Sequence, residues 1–294
     1  MKKPIIIPVL LYAVQILSAA TVIAGATAAS GTARQDIKEP YYMIDFNVVH
    51  CKFEIHINKV HLMTWNIEGQ MWSNMPCNHL ILGSGVQQLD IFVYPCSGKT
   101  EFSHETGLTV KLMLYDAADE IVELVEEDIV SWKMSDNDKT KAACSHTATF
   151  HAQVPYQLTA WQNSADLNAV ENLRQKVETA YQKLGEMITR KQYDAFKNLM
   201  QEKEKRMATC FYLKEEESKK RMDGLIELLE SGYEFIPLSG AETMHIYADG
   251  KLVCLKSENG NSALRFLDKE TDDEIYIDVI FHLKKGDTEL TVSP

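Results

Sequence analysis

The segment Cys51-Lys52-Phe53-Glu54-Ile55-His56-Ile57 decides how the first half of the chain folds. Its odd-numbered positions are apolar and its even-numbered positions are charged or polar, which is the period of two that a half-buried β-strand requires. The same alternation recurs at residues 89–93, 108–114 and 148–154, and Gly, Asn, Ser or Pro bounds each run. These runs predict a series of short antiparallel strands.

About seven such strands between residues 41 and 160 predict an antiparallel β-sandwich domain. The prediction resembles an immunoglobulin-like sandwich in architecture only, because the Cys, Trp, Cys spacing of antibody domains is absent. Domains of this architecture usually bind other molecules, so the first half of the chain is predicted to be a binding domain.

The apolar period changes to three and four between residues 164 and 230, which predicts helices. Asn163 or Ser164 is placed to cap the first helix, and residues 215–230 form the last, followed by Gly232 and Pro237. One apolar face of the first helix comprises Leu167, Val170, Leu173, Val177, Tyr181, Leu184 and Ile188.

Asp249-Gly250 lies between the apolar runs 244–247 and 252–255, which predicts a tight hairpin. Residues 264–292 continue as a meander. The predicted fold class is therefore α+β, with a β-sandwich followed by a helical segment packed on a C-terminal antiparallel meander over residues 161–294. Helices on a bent sheet resemble NTF2-like rolls at the level of fold, and packing without a pocket is the alternative.

The first residues predict export. Lys2 and Lys3 precede an apolar run, and Ala26-Thr27-Ala28 provides a small-x-small cleavage site. We therefore expect a signal peptide at residues 1–28, a flexible linker at 29–40, and a periplasmic or secreted protein without a membrane span after cleavage. An uncleaved anchor is the alternative, because the apolar run approaches the roughly 20 residues that cross a bilayer.

The chain is acidic, with a formal net charge of −12 that becomes −14 when the leader is removed with Lys2 and Lys3. Nucleic-acid binding needs a basic face, and no block of Lys and Arg stands free of acidic residues. The acidic run at residues 116–128 predicts a patch for a basic partner protein, with Glu123, Glu126 and Glu127 as candidate contacts. A surface that only keeps the protein soluble is the alternative.

Six cysteines in an exported protein predict disulfides. The preferred pairs are Cys77 with Cys96 and Cys210 with Cys254, although 15 connectivities are open. Buried free thiols are the alternative, particularly for strand residues. Without a CxxC pair, neither a thioredoxin-like role nor a structural zinc site is predicted. The candidate disulfide residues are Cys51, Cys77, Cys96, Cys144, Cys210 and Cys254.

No motif names a reaction, so the sequence favours a non-enzymatic protein without cofactor or metal. Gly83-Ser84-Gly85 lacks the spacing of a nucleophile elbow. The histidines of the first block lack the spacing of metal ligands. An acid–base site in a C-terminal pocket is the alternative, for which the candidates are Asp194, Glu227 and Asp278, with Tyr181 or His282 beside one of them.

Residues 63–75 combine tryptophan and methionine with polar residues around Gly69. Trp65, Met71 and Trp72 are therefore candidate contacts for a partner, and filling the core is the alternative for these side chains. The sequence predicts an exported binding protein of the bacterial envelope that holds or neutralises a partner protein, of immunity or adaptor type. Two other predictions remain open: a small-ligand-binding or hydrolytic roll in the C-terminal half, and carbohydrate binding by the sandwich.

Overall fold

A computed structural model describes residues 7–8, 37–118, 123–257 and 259–294, without the side chains of residues 7–8 and 123–128. The predicted leader and linker lie outside the described residues, apart from residues 7–8 and 37–40. The chain divides into two compact units. Among the described residues, the N-terminal unit comprises 37–58 and 65–157 without 119–122, and the C-terminal unit comprises 7–8, 59–64 and 158–294 without 258.

The strands follow the chain as β1 (Ile7–Pro8), β2 (Pro40–Ile57), β3 (Val60–Pro76), β4 (Gly85–Tyr94), β5 (Gly107–Asp116), β6 (Glu123–Lys133), β7 (Cys144–Ala152), β8 (Tyr233–Ile236), β9 (Thr243–Tyr247), β10 (Leu252–Lys256), β11 (Arg265–Asp268), β12 (Asp273–Tyr276), β13 (Phe281–His282) and β14 (Thr291–Val292). The helices are α1 (Leu173–Thr189), α2 (Tyr193–Cys210) and α3 (Glu215–Glu230). The prediction of an α+β chain with antiparallel sheets is confirmed.

The N-terminal unit is built from one antiparallel sheet in the order β6-β5-β2-β4-β7, and β3 pairs with β2. The sheet curls until its outer strands approach, and Trp132 of β6 stacks on His146 of β7 with ring centroids 5.4 Å apart. The strands therefore form a nearly closed barrel, and not the two facing sheets of the predicted sandwich.

Strand β2 explains this correction. Its first part pairs with β5 and its last part, from Lys52 to Ile57, pairs with β4. Between these ladders His50 adopts a positive φ of 48°, which is unusual for a residue other than glycine. One long strand thus holds neighbours on both edges. The alternating pattern predicts which face is buried, but a face buried inside a curled sheet has the same period as one buried against a second sheet.

The alternation itself is confirmed. Phe53, Ile55 and Ile57 are fully buried, and so are Ile91 and Val93 of the neighbouring strand β4. Burying an aliphatic or aromatic side chain of this size stabilises a fold by about 1.5–3 kcal/mol. The interior of the barrel is therefore the core that the first quoted segment predicts.

In the C-terminal unit, α1 begins at Leu173, later than the predicted cap at Asn163 or Ser164. A short 3₁₀ turn at Leu167–Ala169 takes up part of the intervening chain. The predicted bounds of α3 are confirmed at Glu215–Glu230, and Gly232 follows with a φ of 128°. The predicted apolar face of α1 is confirmed for its buried residues Leu173, Val177, Tyr181, Leu184 and Ile188.

The C-terminal strands form two small sheets where a single meander was predicted. Their orders are β1-β12-β11-β8, in which β1 is parallel to β12, and β14-β13-β10-β9. The predicted hairpin is confirmed, because Tyr247 of β9 pairs with Leu252 of β10 around the turn that contains Asp249-Gly250. Helices and sheets share one apolar core, which includes Tyr181, Phe266 and Phe281.

Candidate functional site

The side chain of Trp72 is the most exposed aromatic among the described residues, with 64% of its surface accessible. It lies on β3, a strand whose central residues Glu68, Gly69 and Gln70 are also exposed. We call residues 66–72 of β3 the contact strand. Buried and exposed residues do not alternate in this segment, because Glu68, Gly69 and Gln70 are consecutive and none of them has an apolar side chain to bury.

A hydrogen bond fixes the Trp72 indole against the neighbouring strand. Its Nε1 donates to Oδ1 of Asp45 on β2 over 3.3 Å. Asp45 is half-buried and lies opposite Lys111 in the β2–β5 ladder. The exposed ring is therefore held at one edge by a carboxylate, while its face is open to solvent. Sequence reasoning missed Asp45, which no spacing relates to Trp72.

The other two predicted anchors are placed differently from Trp72. Trp65 and Met71 are half-buried, and Met63 is buried. The structure thus brings the predicted residues onto one strand but exposes only Trp72 fully. The alternative that these side chains fill the core applies in part to Trp65 and Met71.

Two carboxylates lie near the contact strand, Asp45 on β2 and Glu68 within the strand itself. The pKa of the Tyr115 hydroxyl is raised by burial and then by the carboxylate of Asp45. The pKa of the Cys96 thiol is raised by burial and then by Glu68, which belongs to the contact strand. Lysines lie nearby as well, because Lys99 lowers the pKa of Cys96 and Lys111 pairs with Asp45 in the ladder.

The predicted acidic contacts lie on β6, at the outer edge of the sheet. Glu123 pairs with Asp116 and Glu126 with Leu114, and the register shifts twice between these positions and Leu112. The side chains of Glu123, Glu126 and Glu127 lie outside the described residues. The acidic patch therefore remains a prediction.

Other exposed apolar side chains are isolated. Val86 on β4 is 73% exposed and Ile246 on β9 is 37% exposed, and neither has an exposed aromatic beside it in sequence. Single apolar residues at a surface are normal and need no functional explanation. Val86 is therefore a useful control for Trp72.

All six cysteines lie in the described part of the chain, and all are buried free thiols. Neither preferred pair is bonded. The thiol of Cys77 donates to the carbonyl oxygen of Tyr42, and that of Cys96 donates to the carbonyl oxygen of Ile67. The thiol of Cys51 donates to the carbonyl oxygen of Gly107, so these three thiols contact three different strands. Burial raises the pKa of Cys254 to about 12.

The candidates for acid–base chemistry are three exposed carboxylates and a buried tyrosine, and of the carboxylates Asp278 contributes to the raised pKa of Tyr181, after burial and Cys254. Asp194, Glu227 and Asp278 are exposed, whereas the hydroxyl of Tyr181 is buried and bonded to backbone groups of Leu255 and Val279. In the described ranges, no group of three or more His, Cys, Asp or Glu residues is arranged to hold a metal ion. No described helix is long and apolar enough to cross a membrane.

Ser164 and His282 form a buried pair that the sequence did not predict. The Ser164 Oγ lies 2.7 Å from the Nδ1 of His282, although 118 residues separate them. Burial and then Lys284 lower the pKa of His282 to about 4, so the imidazole is neutral at pH 7. Both side chains are at most 3% exposed, and a substrate therefore has no access to them. The pair holds β13 against the segment before α1.

The buried His282 makes the protein less stable in acid. Unfolding returns the pKa of His282 from about 4 to about 6.5. Between these two pH values the unfolded chain binds one more proton than the folded chain. The free energy of unfolding therefore falls as the pH is lowered from about 6.5 to about 4. We expect a loss of up to about 3 kcal/mol from this group. Denaturant unfolding of wild type and His282→Gln between pH 7 and pH 4 measures it.

The His282→Gln variant should show a flatter pH dependence than wild type. His104→Gln is the control, because the side chain of His104 is 91% exposed. It should follow the wild-type profile. Parallel profiles for His282→Gln and wild type would contradict this assignment.

An open groove of about 870 Å³ runs along α1 in the C-terminal unit. Many of its lining residues are charged, including Glu178, Lys183, Glu186 and Arg190 of α1, but apolar atoms make up more of the wall than polar atoms do. Leu238, Ser239 and Gly240 form the opposite wall. The carboxylate of Glu242 accepts the backbone N–H groups of Ser239 and Gly240 and fixes that wall. The groove contains none of the predicted acid–base residues.

Comparison with known proteins does not assign the chain. No family model matches it, no curated protein is significantly similar in sequence, and no solved structure is significantly similar in fold. The functional argument therefore depends on the surface of the described residues, in which the contact strand with Trp72 is the most distinctive feature.

Proposed function

We propose that this chain is an exported, non-enzymatic binding protein of the bacterial envelope that holds or neutralises a partner protein through the contact strand. One observation carries the proposal, which is the exposure of 64% of the Trp72 side chain on an ordered strand. Tryptophan is enriched among the residues that dominate binding energy, and an exposed ring of this size costs free energy until it is covered.

The setting of Trp72 supports a role as a preformed anchor. Its indole N–H is already bonded to Asp45, and the ring is attached to a strand that pairs with β2. A side chain that is ordered before binding loses little conformational entropy in the complex. The exposed Glu68 and Gln70 beside it are placed to form the polar rim that surrounds such anchors.

Charge supports a basic partner. The formal net charge of the chain is −12. Asp45 is bonded to Trp72, and Glu68 belongs to the contact strand. The sequence of β6 contains three more acidic residues, Glu123, Glu126 and Glu127. Complementary charge accelerates association and loses its effect as salt rises. An acidic exported protein that binds a basic one fits an immunity or adaptor role. The signal peptide predicted at residues 1–28 supports a location in the periplasm or outside the cell.

The Trp72→Ala variant should lose the partner. Protein from Ala29 onward, tagged at its C-terminus, is used to capture partners from its own envelope extract at low and moderate salt. We expect a stoichiometric protein that wild type retains and Trp72→Ala releases, with an affinity loss of about 2 kcal/mol, or roughly 30-fold.

Val86→Ala is the matched control, because it truncates an apolar side chain of comparable exposure elsewhere on the barrel. It should retain the partner with unchanged affinity. Equal retention by all three proteins, or loss in both variants, would refute the role of Trp72.

The groove along α1 supports a second candidate function, binding of a small polar ligand by the C-terminal unit. Its volume of about 870 Å³ lies within the range of ligand sites, and its wall at Ser239 is fixed by Glu242. A hydrolytic version has less support, because the two carboxylates of the groove, Glu178 and Glu186, form ion pairs with Arg174 and Arg190. Carbohydrate binding remains an alternative use of Trp72, and an oligosaccharide in place of the captured protein would favour it.

A further inference from the structure

Two cysteines of the N-terminal unit lie beyond the same end of one strand ladder. Lys52 of β2 pairs with Tyr94 of β4. Cys51 precedes Lys52 by one residue, and Cys96 follows Tyr94 by two. Because β2 and β4 are antiparallel, a residue before Lys52 and a residue after Tyr94 leave the ladder in the same direction.

A third cysteine occupies the opposite side of β4. Cys144 begins β7 and pairs with Val93 of β4. Strand β4, which Cys96 follows, therefore lies between Cys51 on β2 and Cys144 on β7. All three are buried, and Cys96 retains an accessible fraction of 8%. The barrel thus gathers three of its thiols at one end, although they are far apart in sequence.

The electrostatics of the thiols agree with this arrangement. Burial raises the pKa of Cys51 to about 12, and Cys96 and then Cys144 contribute to the increase. Cys96 is therefore the thiol that acts most strongly on Cys51. By contrast, burial alone raises the pKa of Cys77, and Cys254 is influenced by Lys256 and Asp278 and by no other thiol.

We propose that Cys51 and Cys96 form an intramolecular disulfide when the chain folds in an oxidising medium. Continued by one residue, the register places Cys51 opposite Pro95, so Cys96 lies one residue further along. A strand spacing of about 4.7–4.9 Å and a rise of about 3.3 Å per residue then give a Cα separation of roughly 6 Å, within the range of about 4.4–6.8 Å that a disulfide spans. The bond joins β2 to the turn after β4. It replaces the pairing of Cys77 with Cys96 that the sequence favoured, and it does not depend on the proposed binding function.

The oxidant is a low-molecular-weight disulfide, for which oxidised glutathione is the probe. The thiolate of Cys96, the more accessible residue, attacks it and releases one glutathione thiol. The thiolate of Cys51 then displaces the second glutathione and forms the S–S bond. Two protein thiols lose two electrons and two protons in total, and one molecule of oxidised glutathione becomes two molecules of the reduced form.

The bond should stabilise the barrel, because it closes a loop of about 45 residues in the unfolded chain. We expect the thermal midpoint of the oxidised protein to lie roughly 5–10 °C above that of the reduced protein. Dithiothreitol should abolish the difference.

The test is oxidative refolding of the chain from residue 29 in a mixture of oxidised and reduced glutathione. Free thiols are then blocked, and the non-reduced protein is digested and analysed by mass spectrometry. We expect four blocked cysteines and one linked peptide pair that contains Cys51 and Cys96. The linkage should persist in Cys77→Ser and Cys144→Ser and be absent from Cys96→Ser.

Three outcomes would overturn the proposal. These are six blocked thiols in the refolded protein, a linked pair that involves Cys144 or Cys77 in place of Cys51, and stable glutathione adducts without an internal bond. The measurement on the wild-type protein decides the matter even where a serine variant fails to fold.

Discussion

Replacing Tyr181 by phenylalanine should destabilise the C-terminal unit by about 2–3 kcal/mol. The Tyr181 hydroxyl donates toward the carbonyl oxygens of Leu255, at 3.1 Å, and Val279, at 3.2 Å. It also accepts the backbone N–H of Leu255 over 3.0 Å. Phenylalanine preserves the ring but leaves that buried N–H without its acceptor, and an unsatisfied buried donor costs more than an ordinary hydrogen bond contributes.

Urea unfolding followed by circular dichroism measures this effect. Tyr193→Phe is the matched control, because Tyr193 is also a helical tyrosine of the C-terminal unit but is half-buried. Its unfolding free energy should stay within about 0.5 kcal/mol of wild type. If Tyr181→Phe is as stable as Tyr193→Phe, the hydroxyl does not connect α1 to β10 as described.

The second large effect is expected at Gly185, in the middle of α1. A Cβ at this position would lie 2.3 Å from the ring of Phe235, which itself packs on Phe266. Alanine favours a helix over glycine by about 1 kcal/mol, but overpacking of this kind costs about 1–3 kcal/mol. Because Phe235 is held by its own neighbour, we expect Gly185→Ala to destabilise the unit by a net amount of up to about 2 kcal/mol.

Gly224→Ala provides the control in the same unit. Gly224 lies within α3 and has nothing within 4 Å of its would-be Cβ. There the helix preference acts alone, so alanine should stabilise the protein by up to about 1 kcal/mol. Opposite signs in the two unfolding measurements are the expected result. Stabilisation by both substitutions would show that Phe235 moves aside without cost.

Local patterns in the sequence predicted the parts of the fold that depend on neighbouring residues. The buried face of Phe53, Ile55 and Ile57, the extent of α3 and the hairpin at Asp249-Gly250 all follow from period, caps and turn chemistry. Each of these features is decided within about a dozen residues, so an alternating pattern or a turn signal contains the necessary information.

Features that depend on distant residues were not predicted. The barrel closes where Trp132 meets His146, and the core pair joins Ser164 to His282 across 118 residues. Alternation does not specify which strands become neighbours, and a buried histidine resembles a surface histidine in sequence. The candidate site was predicted in part. The sequence indicated residues 63–75 as a contact segment, but only the structure shows that Trp72 is the exposed residue among the predicted anchors.

Hydroxyl-radical footprinting of the captured complex tests the central claim most directly. In the free protein Trp72 should oxidise several-fold faster than Trp161, which is 6% exposed. With the partner bound, we predict that oxidation of Trp72 falls several-fold while that of Trp161 is unchanged. Undiminished oxidation of Trp72 in a fully formed complex would contradict the assignment of the contact strand as the binding site.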